Sequence, residues 1–170
     1  MSLTLRNIAL NMIYYAVVVV VLPGGLLLLE RGLGFSERPL LPLRIAAGVV
    51  GVFGALLQIW CIVIFQRVGR GTPSPLFPPM RLVTRGPYRV VRNPMNIGEL
   101  MVFLALAGWF ASWFLLAYAL GAAIAFHGFI KLWEEPRHAE KHGDEYARYR
   151  ASVGRWIPRF VRDHDFRPLR

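Results

Sequence analysis

Ile8 to Leu29 reads IALNMIYYAVVVVVLPGGLLLL, 22 residues without a charge. As a helix rising about 1.5 Å per residue it extends roughly 33 Å, enough to cross a hydrocarbon core about 30 Å thick. A secretory signal is the rival reading, because Arg6 precedes the run. The run exceeds an h-region of about 7–15 residues, however, and no A-x-A site follows it. It reads as a membrane span, with Pro23-Gly24-Gly25 expected to bend it.

Two further runs lie downstream. Ile45 to Phe65 is uncharged and interrupted only by Gln58; Ile97 to Trp133 holds 37 residues with one acid, Glu99, together with His127 and Lys131. The latter is too long for one pass. A tight reversal within Gly108–Trp113 divides it in two and sets Trp109 and Trp113 at the far interface, where amphipathic rings prefer to lie. The expected fold is all-α and polytopic, with about four transmembrane helices at 8–29, 45–65, 97–111 and 114–132, a loop at 67–96 and a helical C-terminal lid at 134–158.

Composition agrees with this division. Of 170 residues, 55% are hydrophobic and 18% charged, with mean hydropathy +0.43; a soluble domain carries about 25% charge. That apolar content excludes disorder, and the length suits one domain over 1–170. Cys61 is the single cysteine, so no disulfide scaffold is possible, and within an apolar run it reads as a small core residue.

The net charge of +10 suits either nucleic acid or a membrane, and the placement of the charges decides. Six arginines and no acid lie between Arg67 and Arg92, and ten bases with seven acids follow from Lys131. The opposite side keeps only Arg31, Arg38 and Arg44, with Glu30 and Glu37. An even number of spans puts both termini on one side, and the positive-inside bias makes that side the cytoplasm. Nucleic acid is not an expected partner, since the bases flank spans and no helix-turn-helix pattern is present. Brevity and arginine content point to a bacterial inner membrane.

GRGTPSPLFPP, from Gly69 to Pro79, cannot form a regular helix. A connection between spans needs only about 2–8 residues, so this long, proline-stiffened, basic loop is read as part of a site. The alternative is a polybasic contact with lipid headgroups. After Trp133 the chain reads EEPRHAEKHGDEYARYRASVGRWIP, where Ala139 to Arg150 has helical composition and Gly143 is a candidate break. An amphipathic helix there can lie on the bilayer and also cover a site.

His127, Lys131 and Glu134 or Glu135 recur at helical spacing, giving one polar helix face that Glu99 can also meet. Ionisable groups inside spans are costly and mark functional interiors; the alternative is a helix-end ion pair with a snorkelling lysine. No metal site is expected, because His138 and His142 lack further ligands at a usual spacing. A nucleophile elbow and β-α alternation are both missing, which excludes a serine hydrolase of that type and a Rossmann domain.

GRGTPSP, LVTRGPYRVVRNPMNIG and the EEPRHAEKHGDEYARYRASVGRWIP block together resemble the isoprenylcysteine carboxyl methyltransferase and phospholipid methyltransferase group of integral-membrane enzymes. The resemblance runs from about Gly69 to Pro158 and implies methyl transfer from S-adenosylmethionine to a lipid-like acceptor entering from the bilayer. It implies cofactor contacts at Arg81, Leu82, Val83, Tyr88, Asn93, Pro94, Met95 and Asn96, and at Glu134 with Glu135 beside it. Glu134, Lys131 and Arg92 are the candidate catalytic side chains; Arg81 or Arg92 suits the cofactor's carboxylate. The family often has His-Pro-x-Tyr where this chain has Asn93-Pro94-Met95-Asn96. Its carboxyl methyltransferases place an arginine where Ile130 stands here, with Lys131 adjacent. A non-catalytic protein whose arginine-rich loop binds anionic lipid or a partner is the competing reading; a small transporter would want more polar residues at mid-membrane.

Overall fold

The structure is a computed structural model, and it describes residues 12–35, 39–65, 67 and 82–159. The described chain is helical, with one isolated bridge between Val91 and Gly154. Helix α1 spans Met12–Gly32, α2 Leu41–Ile64, α3 Pro94–Phe110 and α4 Trp113–Phe129. Helix α4 runs on through a π turn, Ile130–Glu134, into α5, Glu135–Ser152. Three helices are long and apolar enough to cross a membrane, Met12–Gly32, Leu41–Ile64 and the continuous Trp113–Ser152, whereas Pro94–Phe110 is a shorter apolar one. The chain is a multi-pass integral membrane protein. The first four residues of the expected 8–29 span lie outside the described residues.

Glycine lets α2 and α3 approach closely. A Cβ added to Gly54 would come within 2.6 Å of the Gly98 carbonyl oxygen, and one added to Gly98 within 2.8 Å of that of Gly54. Ala47 meets Gly108 and Gly51 meets Ala105 along the same seam, so the two helices run antiparallel. Small residues at a contact are how helices pack when lipid is as apolar as their side chains.

The expected reversal lies at Ala111, which is left-handed (φ 49°, ψ 45°), and Ser112, whose Oγ accepts from Leu115 N–H at 3.1 Å. Glu30, at the end of α1, is 3% exposed. Its Oε1 accepts from Trp113 N–H at 2.9 Å and Phe114 N–H at 3.4 Å, and its Oε2 accepts from the Ser112 hydroxyl. A residue that reads in sequence as a flanking charge is thus the buried cap of α4. Arg44 lies over the Trp109 ring at 5.0 Å, and Trp113 is exposed beside the same turn.

Residues Ala16–Val21 make a π turn just before Pro23, and Leu22 N–H reaches back to Val17 O. The second π turn, Ile130–Glu134, likewise precedes a proline, Pro136, with Glu135 N–H donating to Ile130 O. A proline takes away the N–H that the carbonyl four residues earlier needs, and its ring crowds that carbonyl. Closing the turn over five residues widens it and passes that carbonyl to the next donor. The C-terminal helix therefore begins at Glu135 rather than at Ala139, continuous with the fourth span. It kinks at Gly143 (φ 48°, ψ −125°).

Candidate functional site

Among the described residues, Leu82, Val83, Tyr88, Arg92, Asn93, Glu134 and Glu135 gather at the end of the bundle opposite the Ala111–Ser112 turn. Gly86–Arg89 forms one 3-10 turn, which hands the chain through Val91 and Arg92 to Asn93, the N-cap of α3. This segment is tied to the chain that follows α5. Arg92 N–H donates to Gly154 O at 2.8 Å, Asn93 Nδ2 to Arg155 O at 3.3 Å, and Tyr149 OH to Tyr88 O at 2.8 Å. An open cleft lies between them. Its walls are Leu82, Val83, Tyr88, Arg92 and Asn93 on one side and Glu134, Glu135, His138, Tyr146 and Tyr149 on the other, with Phe65 and Ile130 joining them.

The two adjacent glutamates differ. Glu135 is 7% exposed and fully occupied: Oε1 accepts from Arg155 Nε at 2.7 Å and lies 2.9 Å from Arg92 Nη1, while Oε2 accepts from Arg155 Nη2 at 2.8 Å. Burial alone would raise its pKa, but the Arg155 hydrogen bonds and the charges of Arg92 and Arg155 outweigh that and hold it below the usual carboxylate range. Glu134 is more open, its side chain 40% exposed and paired with His138 Nε2 at 3.7 Å. Glu134 is thus the carboxylate that can reach a ligand, and Glu135 the one that holds the arginines.

Arg92 carries the complementary feature. Its Nη1 reaches Glu135 and donates to Tyr146 OH at 3.4 Å, yet its Nε is buried without a partner among the described residues. Burial pushes the phenols of Tyr88, Tyr146 and Tyr149 above their ordinary range, so these walls stay neutral. A neutral, aromatic cleft with one open carboxylate and one orphaned guanidinium nitrogen suits a ligand bearing hydroxyl or ammonium groups and a carboxylate.

Residues 43–145, more than half of the chain, match the family described as phospholipid methyltransferase. The chain belongs to that family. No curated protein and no solved structure matches the chain. Membership makes this membrane protein an S-adenosylmethionine-dependent methyltransferase, which sets aside the non-catalytic reading. The cleft of the methyltransferase fits that cofactor, whose amino-acid end presents an ammonium and a carboxylate and whose ribose presents hydroxyls. Glu134 would hold the amine or a hydroxyl, and Arg92 the carboxylate.

Among the expected site residues, Leu82, Val83, Tyr88, Arg92, Asn93, Glu134 and Glu135 line the methyltransferase's cleft. Arg81, like the Gly69–Pro79 stretch, lies outside the described residues. Pro94, Met95 and Asn96 are not lining residues; they open α3, and Met95 packs behind the wall against the Cys61, Val83 and Tyr88 cluster. Lys131 is exposed and does not line the cleft, so the polar stripe His127–Lys131–Glu134 is not one face. The π turn takes in an extra residue, and Ile130 faces inward instead. His127 accepts at Nδ1 from Trp156 Nε1 at 3.1 Å, and Glu99 turns away to Tyr14. His138 and Arg155 carry no role in the sequence reading. The signal available for Arg155 is that a paired acidic motif entering a buried wall needs a cation, and the nearby GRWIP block supplies one.

Proposed function

We propose that the methyltransferase binds S-adenosylmethionine between Leu82, Val83, Tyr88, Arg92, Asn93 and Glu134, and methylates the amine head of an amphipathic acceptor arriving through the bilayer. The observation that carries this is the meeting, in one cleft, of the open Glu134 carboxylate with the orphaned Arg92 Nε. When bound, the cofactor supplies an electrophilic methyl on a sulfonium sulfur. Transfer of that group demands alignment and exclusion of water more than a strong base. Arg92 is aimed by Glu135 and Tyr146, so the guanidinium is fixed before any ligand arrives. Glu134 accepts hydrogen bonds from the ligand. Tyr88, Tyr146 and Tyr149 give the cleft neutral aromatic walls. Glu135 acts through Arg92 and Arg155 and is a positioning residue.

An amine acceptor is preferred over a prenylcysteine-like carboxylate because Ile130 occupies the position of a carboxylate-binding arginine and Lys131 is outside the cleft. The arginine bias supports a cytoplasmic cleft with both termini on that side, and a bacterial inner membrane is the proposed location. Calorimetry with S-adenosylhomocysteine on detergent-purified protein tests the seat. Removing a charge-assisted hydrogen bond costs about 1.5–3 kcal/mol, so Glu134→Ala is expected to weaken binding about tenfold or more while the protein stays folded. Unchanged affinity in that variant overturns the assignment.

A further inference from the structure

Glu99 takes no part in the cleft just described, yet it is 5% exposed on the second turn of α3, inside the apolar bundle. Its hydrogen bond is from the Tyr14 hydroxyl of α1, 3.1 Å from Oε1. No lysine, arginine or histidine among the described residues forms an ion pair with it. Tyr15 packs edge-on to Tyr14 with ring centroids 5.4 Å apart, and Tyr118 packs at 5.0 Å against Phe103, one turn along α3 from Glu99. The amide nitrogen of Gln58, a residue seated against Gly98, is buried and also lacks a partner among the described residues. An ionised carboxylate taken out of water and met by one neutral donor is expensive, and either a proton or a cation relieves it.

Its placement relates it to the cleft. Side chains on a helix lean toward the helix N-terminus, so the Glu99 carboxylate reaches back toward Asn93. Gln58, seated against Gly98, lies one turn before Cys61 on α2, and Cys61 packs with Tyr88, a cleft wall, in one buried cluster. On the other flank, Tyr14 is 43% exposed on a helix that faces lipid, so a molecule moving in the bilayer meets the rim of this pocket of polarity. Phenol rings attract cations through their faces, and a carboxylate beside them repels phosphate and carboxylate alike.

We infer that Glu99, with Tyr14, Tyr15 and Tyr118, is the intramembrane subsite that receives the ammonium head of the methyl acceptor. This rests on the methyltransferase reading and adds the residues that select the acceptor. The test uses three single-chain probes in non-ionic detergent: dodecylammonium, dodecanol and dodecanoate. Thermal unfolding of the wild-type protein is expected to shift upward with dodecylammonium and much less with the other two. Glu99→Gln, which keeps a hydrogen-bonding acceptor for Tyr14, is expected to lose that shift and retain its affinity for S-adenosylhomocysteine by calorimetry. Tyr14→Phe is expected to weaken the ammonium effect by about threefold to tenfold, as for loss of one hydrogen bond. Equal shifts with dodecanol and dodecylammonium, or an ammonium shift that survives Glu99→Gln, overturn the subsite. Should wild-type protein respond to dodecylammonium and not bind S-adenosylhomocysteine, the cofactor seat fails and the subsite stands. The wild-type comparison decides even where Glu99→Gln does not fold.

Discussion

Glu30 and Glu135 sit at opposite ends of the same bundle, both buried, and are satisfied by different chemistry. Glu30 spends its oxygens on two backbone N–H groups and a serine hydroxyl at a helix N-terminus. Glu135 spends its oxygens on two guanidinium groups, and one of these, Arg92, also faces the cleft. The first arrangement closes on itself, so its effect ends with the fold. The second transmits, because moving Glu135 moves a side chain that a ligand would touch. Burial alone does not separate a structural carboxylate from a functional one; what its partners do next is the distinguishing fact.

The sharpest way to break this comparison is to remove Glu135. Leaving one partner of a buried pair alone costs about 3–5 kcal/mol. Glu135→Ala is expected to lower the unfolding temperature by more than any other substitution discussed here and to weaken S-adenosylhomocysteine binding as well, both readable by thermal melts and calorimetry. Acid should act on the same clasp. Because folding depresses the Glu135 pKa, the clasp contributes fully above the unfolded value of about 4.3 and is lost as pH falls through the lower folded value. Wild-type protein should hold its melting temperature from pH 7 to about 5 and lose part of it below about 4. In Glu135→Gln that acid-sensitive portion should be flattened; an unchanged acid limb would mean the clasp contributes nothing.

The sequence alone discloses the apolar helices and their reversal, because uncharged runs and a Gly-Trp turn are local signals. Tyr88, Asn93 and Glu134 are singled out by the resemblance of their blocks to the family, and all three line the cleft. The partners are not legible in the sequence. Glu30 and Ser112 are 82 positions apart, Tyr14 and Glu99 are 85 apart, and no local pattern pairs them. Lys131 lies outside the cleft for a different reason: the 3.6-residue period assumes an unbroken α-helix, and the π turn Ile130–Glu134 interrupts it before Glu134. Glu134 and Glu135, adjacent and identical, look equivalent in sequence, and only the surrounding cations tell them apart.

A smaller effect sharpens the comparison from the other end. Glu30→Ala leaves the Trp113 and Phe114 N–H groups without their acceptor, a loss of about 1–3 kcal/mol for buried donors. The expected result is a lower melting temperature with S-adenosylhomocysteine affinity kept within about twofold, since no Glu30 partner reaches the cleft. A drop in affinity matching that of Glu135→Ala would erase the distinction between the two ends.

The smallest effect concerns Gly143, where α5 breaks between the half that carries His138 and the half that carries Tyr146 and Tyr149. Its φ of 48° with ψ of −125° suits glycine, and open space surrounds the position of a Cβ. Any cost of Gly143→Ala is therefore backbone strain rather than a clash, of order 1–2 kcal/mol. Relieving that strain by making residue 143 helical would rotate 144–152 about the axis of 135–142. Tyr149 would then leave the Tyr88 carbonyl and the cleft would lose a wall. The expected signature is a modest fall in melting temperature accompanied by weaker S-adenosylhomocysteine binding. A variant that loses stability alone would show that the tyrosines hold their places without help from the kink.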